Sequence, residues 1–243
     1  MIPVNHPRYH SLKVREHLAR CAEDGILSLE GLTAHGRGEA FDYLIGERTM
    51  ESALEAEKSA AAHLLVAKRP VISVNGNTAA LAAGSIALLQ QASNASVEVN
   101  LFHRTEIRMR KITSLLERQG VRVLTGEAER LLPLSHDRAL CLAEGIGAAD
   151  VVLVPLEDGD RCQALVEMGK VVIAIDLNPL SRTARSATLT IVDEVTRALP
   201  HMTRFCGELT KEEALMFSTG YNNHNLLRLA IREIQTRLDH ALD

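Results

Sequence analysis

Residues 70–102 read PVISVNGNTAALAAGSIALLQQASNASVEVNLF. Two short apolar runs, 70–74 and 96–102, enclose a longer stretch that is rich in alanine and leucine and has helical spacing. A strand, a helix and a second strand in this order are typical of the βαβ unit, whose two strands lie parallel in one sheet. The stretch therefore predicts a parallel sheet with helices packed on it.

The same alternation continues toward the C-terminus. Further apolar runs lie at 121–124, 150–154, 171–175 and 188–192, and a helix is expected near 137–147. We predict an α/β fold, doubly wound, with a mostly parallel sheet and helical N-terminal and C-terminal flanks. The chain is expected to form a single domain over residues 1–243, with a helical segment at 1–69, the sheet core at 70–193 and a helical segment at 194–243.

Composition narrows the class of protein. The chain has 243 residues, 46% of them hydrophobic, and a net charge of −4 without a basic stripe, so we expect no nucleic-acid partner. No apolar run reaches the roughly 20 residues that cross a membrane, and no signal peptide is expected. The four cysteines form no CxxC pair and are expected to be reduced and mostly buried, which favours a cytoplasmic protein.

Polar side chains follow four of the six predicted strands, and open parallel sheets bind ligands at the carboxyl ends of their strands. NGNT at 75–78 is either a turn with a helix cap or a helix N-terminus that faces an anion. HRT at 103–105 follows the next run. PLEDGDR at 155–161 is either a turn and a cap, or a source of carboxylates for magnesium bound with a nucleotide.

The run at 171–175 ends in DLNPLSRTAR, residues 176–185. Asn178 and Ser181 have structural uses in a turn and a helix cap, but Asp176 stands where a ribose or adenine contact is common in this class of sheet. Arg182 and Arg185 suit phosphates because the guanidinium is a planar donor. We interpret this stretch as a ligand cradle.

Two more arginines stand in the N-terminal segment. Arg37 lies between Gly36 and Gly38, and we interpret it as a phosphate-binding loop residue placed ahead of a helix. Arg15, taken by its own sequence context, is a solvent-facing helix charge. The histidines show no HExxH spacing, and no GxSxG motif or Cys/His pair indicates a covalent nucleophile.

Six ordered blocks carry a resemblance to a known family. They are HPRYHSLKVRE, GLTAHGRGEAFDYLIGE, PVISVNGNTAAL, EVNLFHRTE, ADVVLVPLEDGDR and VIAIDLNPLSRTAR. Together they resemble the archaeal phosphopantothenate synthetases, the 4-phosphopantoate–β-alanine ligases, from about residue 3 to about residue 200. The resemblance implies a homodimeric, Rossmann-like enzyme of coenzyme A biosynthesis that uses ATP and Mg²⁺ and releases AMP and diphosphate.

The resemblance also implies where ATP binds. The implied ATP contacts are Arg15, Arg37, Asp176, Leu177, Asn178, Arg182, Thr183, Asp193, Glu194 and Val195. An amide residue is common in the family where Glu194 stands here, which leaves a backbone contact as the expected role at that position.

The expected chemistry is acyl activation, because in-line attack on phosphorus needs positioning and charge neutralisation more than a covalent protein group. Arg37 is our candidate catalytic residue, Asp158 and Asp160 are the candidate Mg²⁺ ligands, and the candidate phosphopantoate contacts are Asn75, Asn77 and Arg104. Two rival functions are a nicotinamide-dependent oxidoreductase, disfavoured because no GxGxxG follows a strand, and a non-catalytic adenine-nucleotide sensor.

Overall fold

A five-stranded sheet, parallel throughout, forms the centre of the structure, and its strands in spatial order are β2 (Ser96–Val99), β1 (Pro70–Val74), β5 (Val151–Pro155), β6 (Val171–Ile175) and β7 (Leu189–Ile191). The computed structural model describes residues 2–6 and 8–242. Met1, Pro7 and Asp243, which the single-domain prediction for 1–243 includes, lie outside the described residues. The strands are β1 Pro70–Val74, β2 Ser96–Val99, β3 Glu129–Arg130, β4 Leu140–Cys141, β5 Val151–Pro155, β6 Val171–Ile175 and β7 Leu189–Ile191, of which β3 and β4 form a separate antiparallel pair.

Helices cover both faces of the sheet, so the doubly wound α/β prediction is confirmed. Alternate strand residues such as Ile72 and Ile173 join one apolar cluster, and their neighbours Val152 and Val172 join another. Helices α4, α5 and α8 pack on the first face, and α6 packs on the second. The described helices are α1 Tyr9–Glu23, α2 Leu29–Ile45, α3 Glu51–Val66, α4 Gly76–Ser93, α5 Glu106–Arg118, α6 Gly159–Glu167, α7 Arg182–Ser186, α8 Val195–Glu208, α9 Lys211–Phe217 and α10 Asn223–Asp239.

Two local predictions between β2 and β5 were wrong. The run at 121–124 contributes one bridge, between Val97 and Val123, rather than a strand. In place of the helix near 137–147 there are a short 3₁₀ turn, the strand β4 and a π turn. The cause is Glu98 on β2, whose buried carboxylate accepts hydrogen bonds from the backbone N–H groups of Leu142 and Ile146, at 2.9 and 2.7 Å. These bonds hold the chain in an irregular path.

The sequence pattern predicted that Arg37 lies in a loop. In the structure it lies in the middle of α2. Ser28 caps the start of this helix by accepting a hydrogen bond from the N–H of Gly31, and Gly46 ends it in the left-handed region at φ 93°. A glycine inside a helix costs only about 1 kcal/mol relative to alanine. The stabilisation from the two capped ends therefore exceeds the helix-propensity cost of Gly36 and Gly38, and the helix continues through both residues.

The two helical flanks pack on each other and on the sheet. Helix α3 packs against α8 and α9, and α2 packs against α10. A third apolar cluster joins Ile45 at the end of α2 and Leu177 after β6 to Leu227 on α10. The Arg48–Glu233 ion pair, at 2.6 Å, lies on the same contact. These contacts support one domain over 1–243, which stays a prediction, and they hold α2 over the carboxyl edge of the sheet.

All four cysteines are free and buried. Burial raises the pKa of the Cys162 and Cys206 thiols to about 12. None of the described helices combines the length and the apolar character that a membrane span requires.

Candidate active site

A cavity of about 1020 Å³ lies at the carboxyl ends of the strands. Its floor is the point where the chain reverses its winding direction, between β1 and β5, where open α/β sheets bind ligands. Helix α2 forms the opposite wall. The volume lies at the upper end of the range for small-molecule sites, so the crevice has room for more than one ligand.

The crevice has two halves on either side of the β5 exit. The β6–β7 half is lined by residues that follow β6 and β7 and by the central part of α2. The β1–β2 half is lined by the start of α4, by residues that follow β2, and by Arg108 and Arg138.

The turn after β6 uses its polar side chains to hold its own shape. The Asp176 carboxylate accepts hydrogen bonds from the backbone N–H of Asn178, at 2.9 Å, and from the Ser181 hydroxyl, at 2.5 Å. Ser181 also caps α7 by accepting from the N–H of Ala184. Burial raises the pKa of Asp176, against the opposing effect of these hydrogen bonds and of the Arg37 guanidinium. The turn is thus structural and at the same time lines the crevice.

A network of charged side chains follows β7 and extends from the buried interior to the lining of the crevice. Arg197 donates to Asp193, at 2.6 and 2.8 Å, and to Asp42, at 2.5 Å. Asp42, Glu194, Val195 and Arg197 line the crevice, whereas Asp193 is buried beneath them. Burial raises the pKa of Glu194, whose carboxylate also accepts from the N–H and hydroxyl of Thr196.

The start of α4 opens into the β1–β2 half. Asn75 caps the helix and donates to the carbonyls of Pro155 and Leu156, at 3.0 Å each, while Asn77 donates to the carbonyl of Gly31. A Cβ on Gly76 would lie 2.6 Å from the Ile26 carbonyl oxygen, so only glycine allows this approach. Free N–H groups at a helix start favour anions.

Arg108 faces the same half of the crevice. Its guanidinium donates to the carbonyls of His103, at 2.6 Å, and Ile26, at 3.2 Å, while its Nε has no hydrogen-bond partner among the described residues. Burial lowers the pKa of Arg108. Arg108 is half-buried, its guanidinium is hydrogen-bonded only to carbonyls, and the nearby charge is the Glu30 carboxylate, so this position suits an anionic ligand.

A buried ion cluster lies under the β5 exit. The Glu157 carboxylate pairs with the guanidinium groups of both Arg138 and Arg161, and the three side chains are at most 5% exposed. Arg138 also donates to the carbonyl of Asn100, at 2.7 Å, and Arg161 to the Ser73 hydroxyl, at 3.2 Å. The cluster therefore ties β5 and α6 to β1 and β2 at the floor of the crevice.

Asp158 and Asp160 both make other contacts in this structure, and as they stand these contacts do not fit a Mg²⁺ site. Asp158 caps α6 through the N–H of Arg161, at 2.8 Å, and accepts from Arg138, at 3.3 Å. Burial alone would raise the pKa of Asp158, but that N–H and the Arg138 charge outweigh it and lower the pKa. Asp160 pairs with Arg182 at 2.5 Å and does not line the crevice. Because a guanidinium occupies each carboxylate, we derive no step through a protein-bound Mg²⁺.

Arg15 does not line the crevice but pairs with Glu39 on α2, which does. Its guanidinium donates to both Glu39 oxygens, at 2.8 and 3.2 Å, and Ser11 and Arg8 donate to the same carboxylate. Burial would raise the pKa of Glu39, but the hydrogen bonds from Arg15 and Ser11 outweigh it and lower the pKa.

The structure brings most of the residues singled out by sequence into one crevice. Those that line it are Asn75, Asn77, Asp158, Asp176, Leu177, Asn178, Arg182, Thr183, Glu194, Val195 and Arg37. Those placed outside its lining are Arg15, Arg104, Asp160 and Asp193. Arg104 instead lines a separate small pocket with Glu106, Met109 and Arg110 at the start of α5.

Sequence reasoning missed several charged groups of the site. Arg138 stands in the segment wrongly predicted as a helix, so no strand exit drew attention to it. Glu157 lies within PLEDGDR, next to Asp158 and close to Asp160, and the sequence indicated those two as candidate Mg²⁺ ligands instead. Asp42 and Arg197 carry no motif. The i to i+4 spacing of Asp193 and Arg197 at a helix start was the one signal available for that network.

Fold and site together define a class of protein: a doubly wound α/β protein with a two-part, arginine-lined crevice at its switch point. The model of the phosphopantothenate/pantothenate synthetase family matches residues 52–237. The chain belongs to this family.

Similarity to individual relatives extends over the whole chain. The chain is 60% identical over 243 residues to a 4-phosphopantoate–β-alanine ligase of Methanospirillum hungatei, and the alignment covers 100% of both chains. It is 55% identical over 241 residues to the ligase of that name from Methanosarcina mazei, covering 98% of this chain and 95% of the relative. For the ligase of that name from Thermococcus kodakarensis, identity is 49% over 243 residues, with 98% and 93% covered.

Proposed function

We propose that the protein is an ATP-dependent ligase that joins 4-phosphopantoate to β-alanine and forms 4′-phosphopantothenate, AMP and diphosphate in coenzyme A biosynthesis. The observation that carries this proposal is the full-length 60% identity to a relative with that ligase name. The crevice supports it, because its two halves differ in chemistry and fit two kinds of ligand. The sensor and oxidoreductase alternatives have no comparable support.

We assign ATP to the β6–β7 half. Arg37 and Arg182 would hold phosphates, while the turn after β6 and the residues after β7 would hold the nucleoside. The proposed ATP contacts are Arg15, Arg37, Asp176, Leu177, Asn178, Arg182, Thr183, Asp193, Glu194 and Val195. Of these, Arg15 must leave Glu39 to reach a phosphate, and Asp193 acts through Arg197. Mg²⁺ is assigned to the ATP phosphates, where it would keep several of its waters and take at most one or two carboxylates from the protein.

We assign phosphopantoate to the β1–β2 half. The start of α4 at Asn75 and Asn77 offers backbone N–H groups to an anion, and Arg108 offers a guanidinium that is hydrogen-bonded only to carbonyls. Arg104, the third residue expected from the sequence, lines a separate small pocket at the start of α5, and Arg108 takes its place in the proposal.

The proposed chemistry has two steps. A pantoate carboxylate oxygen bonds to the α-phosphorus of ATP, the bond to the bridging oxygen breaks, and diphosphate leaves. The β-alanine amine then bonds to the acyl carbon, the bond to the AMP oxygen breaks, and the amine loses a proton. Arg37 is the proposed catalytic residue, because it lines the β6–β7 half from α2, where charge develops on phosphate.

One assay tests this function. Repeated turnover with release of AMP and diphosphate is expected only when ATP, 4-phosphopantoate and β-alanine are all present; without β-alanine, at most one diphosphate per site is released, because the amine is needed only in the second step. Coupled AMP detection and mass analysis of the product measure it. ATP binding without turnover in the presence of both acids would favour the sensor, and hydride transfer to a nicotinamide would favour the oxidoreductase.

Asp176→Ala is expected to raise the apparent ATP constant by about tenfold or more, the scale of a lost hydrogen bond to a charged group. Since Asp176 also supports the turn, Ser181→Ala is the matched control. It removes one turn hydrogen bond and the α7 cap but keeps the carboxylate. Steady-state ATP titrations of both variants separate the two roles: an equal increase in both would assign the effect to the turn.

Two further parts of the proposal concern the oligomeric state and the cellular location of the protein. We propose a homodimer, as the family resemblance implies. We also propose a cytoplasmic location, which the four free, buried cysteines support because reduced thiols are typical of that compartment.

A further inference from the structure

Beneath the β6–β7 half, two buried carboxyl groups and one histidine meet. Glu57 on α3 is 0% exposed, and its Oε2 lies 2.8 Å from Nδ1 of His201 on α8. One ligand-type atom from each of Glu57, Asp193 and His201 lies within 4.8 Å of the other two. The remaining oxygen of Glu57, Oε1, has no hydrogen-bond donor among the described residues.

Asp193 is already well supplied with donors. Its Oδ1 accepts from the N–H of Glu194, at 2.8 Å, and from Nε and Nη2 of Arg197. Its Oδ2 accepts from the Thr49 hydroxyl at 2.6 Å. These bonds stabilise the negative charge of Asp193 and leave one acceptor position, on Oδ2. Asp193 is thus the hydrogen-bond acceptor of the two acids.

Glu57 cannot be ionised in the same way, because no donor faces its Oε1 and a buried carboxylate without one is costly. A cation or a proton between the two acids would meet the open Oε1 of Glu57, whereas a protonated His201 would not, because it faces Oε2. A divalent cation would stand next to the Arg197 guanidinium and be repelled by it, whereas a proton on Glu57 brings no such repulsion. A neutral Glu57 can accept from His201 through Oε2 and donate to Asp193 through Oε1.

We propose that Glu57 is a positioning residue whose neutral carboxyl donates its proton to Asp193 and so fixes the Asp193–Arg197–Asp42 network at the crevice. Arg197 and Asp42 line the β6–β7 half, so a shift in Asp193 moves charge at the ligand site. The effect of Glu57 on ATP binding rests on the proposed function, whereas the proton shared by Glu57 and Asp193 does not.

The electrostatics agree with this geometry. Burial raises the pKa of Glu57 to about 10, the Asp193 charge adds to the rise, and Arg197 and Arg204 of α8 oppose it. His201, also on α8, is the fourth charged or titratable group that faces Glu57. Because this acid has a higher pKa in the folded than in the unfolded chain, it binds a proton on folding. Its contribution to stability is present below about pH 4.5 and is lost as pH rises toward about 10.

Glu57→Gln and Glu57→Leu separate a shared proton from other roles. The glutamine amide can donate to Asp193 while its oxygen accepts from His201, so Glu57→Gln should keep the network. Leucine can do neither. The Arg197 Nε–H signal, followed by NMR exchange with water, should stay protected in Glu57→Gln and exchange at least tenfold faster in Glu57→Leu. Equal exchange rates in the two variants would overturn the positioning role.

The proton is measured directly by difference infrared spectroscopy of the full chain at pH 7–8. The wild type should show one protonated-carboxyl band that Glu57→Gln lacks. The melting temperature of the wild type should fall between pH 7 and 10 more steeply than that of Glu57→Gln. An unchanged band would overturn the proposal. So would stabilisation of the wild type, but not of Glu57→Gln, by added Mn²⁺ or Zn²⁺, since that outcome indicates a metal site.

The ATP constant is the functional measurement. It should rise severalfold in Glu57→Leu and stay near the wild-type value in Glu57→Gln. A wild type that neither binds nor turns over ATP would contradict the proposed function, while the infrared and NMR results would still decide the shared proton.

Discussion

Glu157→Ala is expected to lower the free energy of unfolding by about 3–5 kcal/mol, the cost of removing one partner from a buried ion pair. The variant leaves the guanidinium groups of Arg138 and Arg161 without their shared carboxylate, and both are at most 5% exposed. For a chain of this size, the loss corresponds to a drop in melting temperature of roughly 6–20 °C. Thermal unfolding followed by circular dichroism measures it.

The exposed pair of Arg204 and Glu208, at 3.8 Å, supplies the matched control. Glu208→Ala removes the same chemical group from a solvated pair and should cost no more than about 1 kcal/mol. The double variant Glu157→Gln with Arg161→Met should recover part of the loss, because one uncompensated guanidinium is removed. If Glu157→Ala and Glu208→Ala have the same melting temperature, the account of a buried ion cluster is contradicted.

Arg37→Lys is expected to reduce turnover by about 10- to 1,000-fold, the scale of one lost transition-state donor. Lysine keeps the charge but not the fork that gives a phosphate two parallel hydrogen bonds. In the part of the chain that the structure describes, no hydrogen bond or ion pair holds the Arg37 side chain, so it is free to take a ligand. Steady-state AMP release measures the effect.

Stability should hardly change in Arg37→Lys. Arg37 is exposed in the middle of α2, and arginine and lysine have similar helix propensities. Arg20→Lys, on the exposed side of α1, is the control for an arginine change away from the crevice and should keep full activity. Near-normal turnover in Arg37→Lys, or an activity loss that only follows a lower melting temperature, would remove Arg37 from the catalytic role.

The central sheet could be predicted because its strands are short, uniformly apolar and separated by helices. Five of the six apolar runs became parallel strands, and polar residues at their carboxyl ends met in one crevice. The turn after β6 could be placed for the same reason. Asp176 directly follows a buried strand, and in the structure its carboxylate lines the crevice while holding the turn.

The segment between β2 and β5 could not be predicted, because long-range bonds decide its path. Glu98 has the sequence appearance of a solvent-facing strand residue, yet it is buried and binds the N–H groups of Leu142 and Ile146. Arg138 is held at the crevice by Asn100, 38 residues earlier, and by Glu157, 19 residues later. Local pattern carries no information about partners so distant in the chain.

The contact between α2 and α10 has a consequence for how the protein acquires its site during synthesis. The crevice wall belongs to residues 29–45, but the apolar cluster that seats it includes Leu227 and Ala230 on the last helix. Contacts between such distant segments form late, because a long loop must close first. During synthesis on the ribosome, this cluster around α2 is therefore complete only after almost the entire chain has been translated, and Ile45 and Met50 lack part of their apolar cover until then.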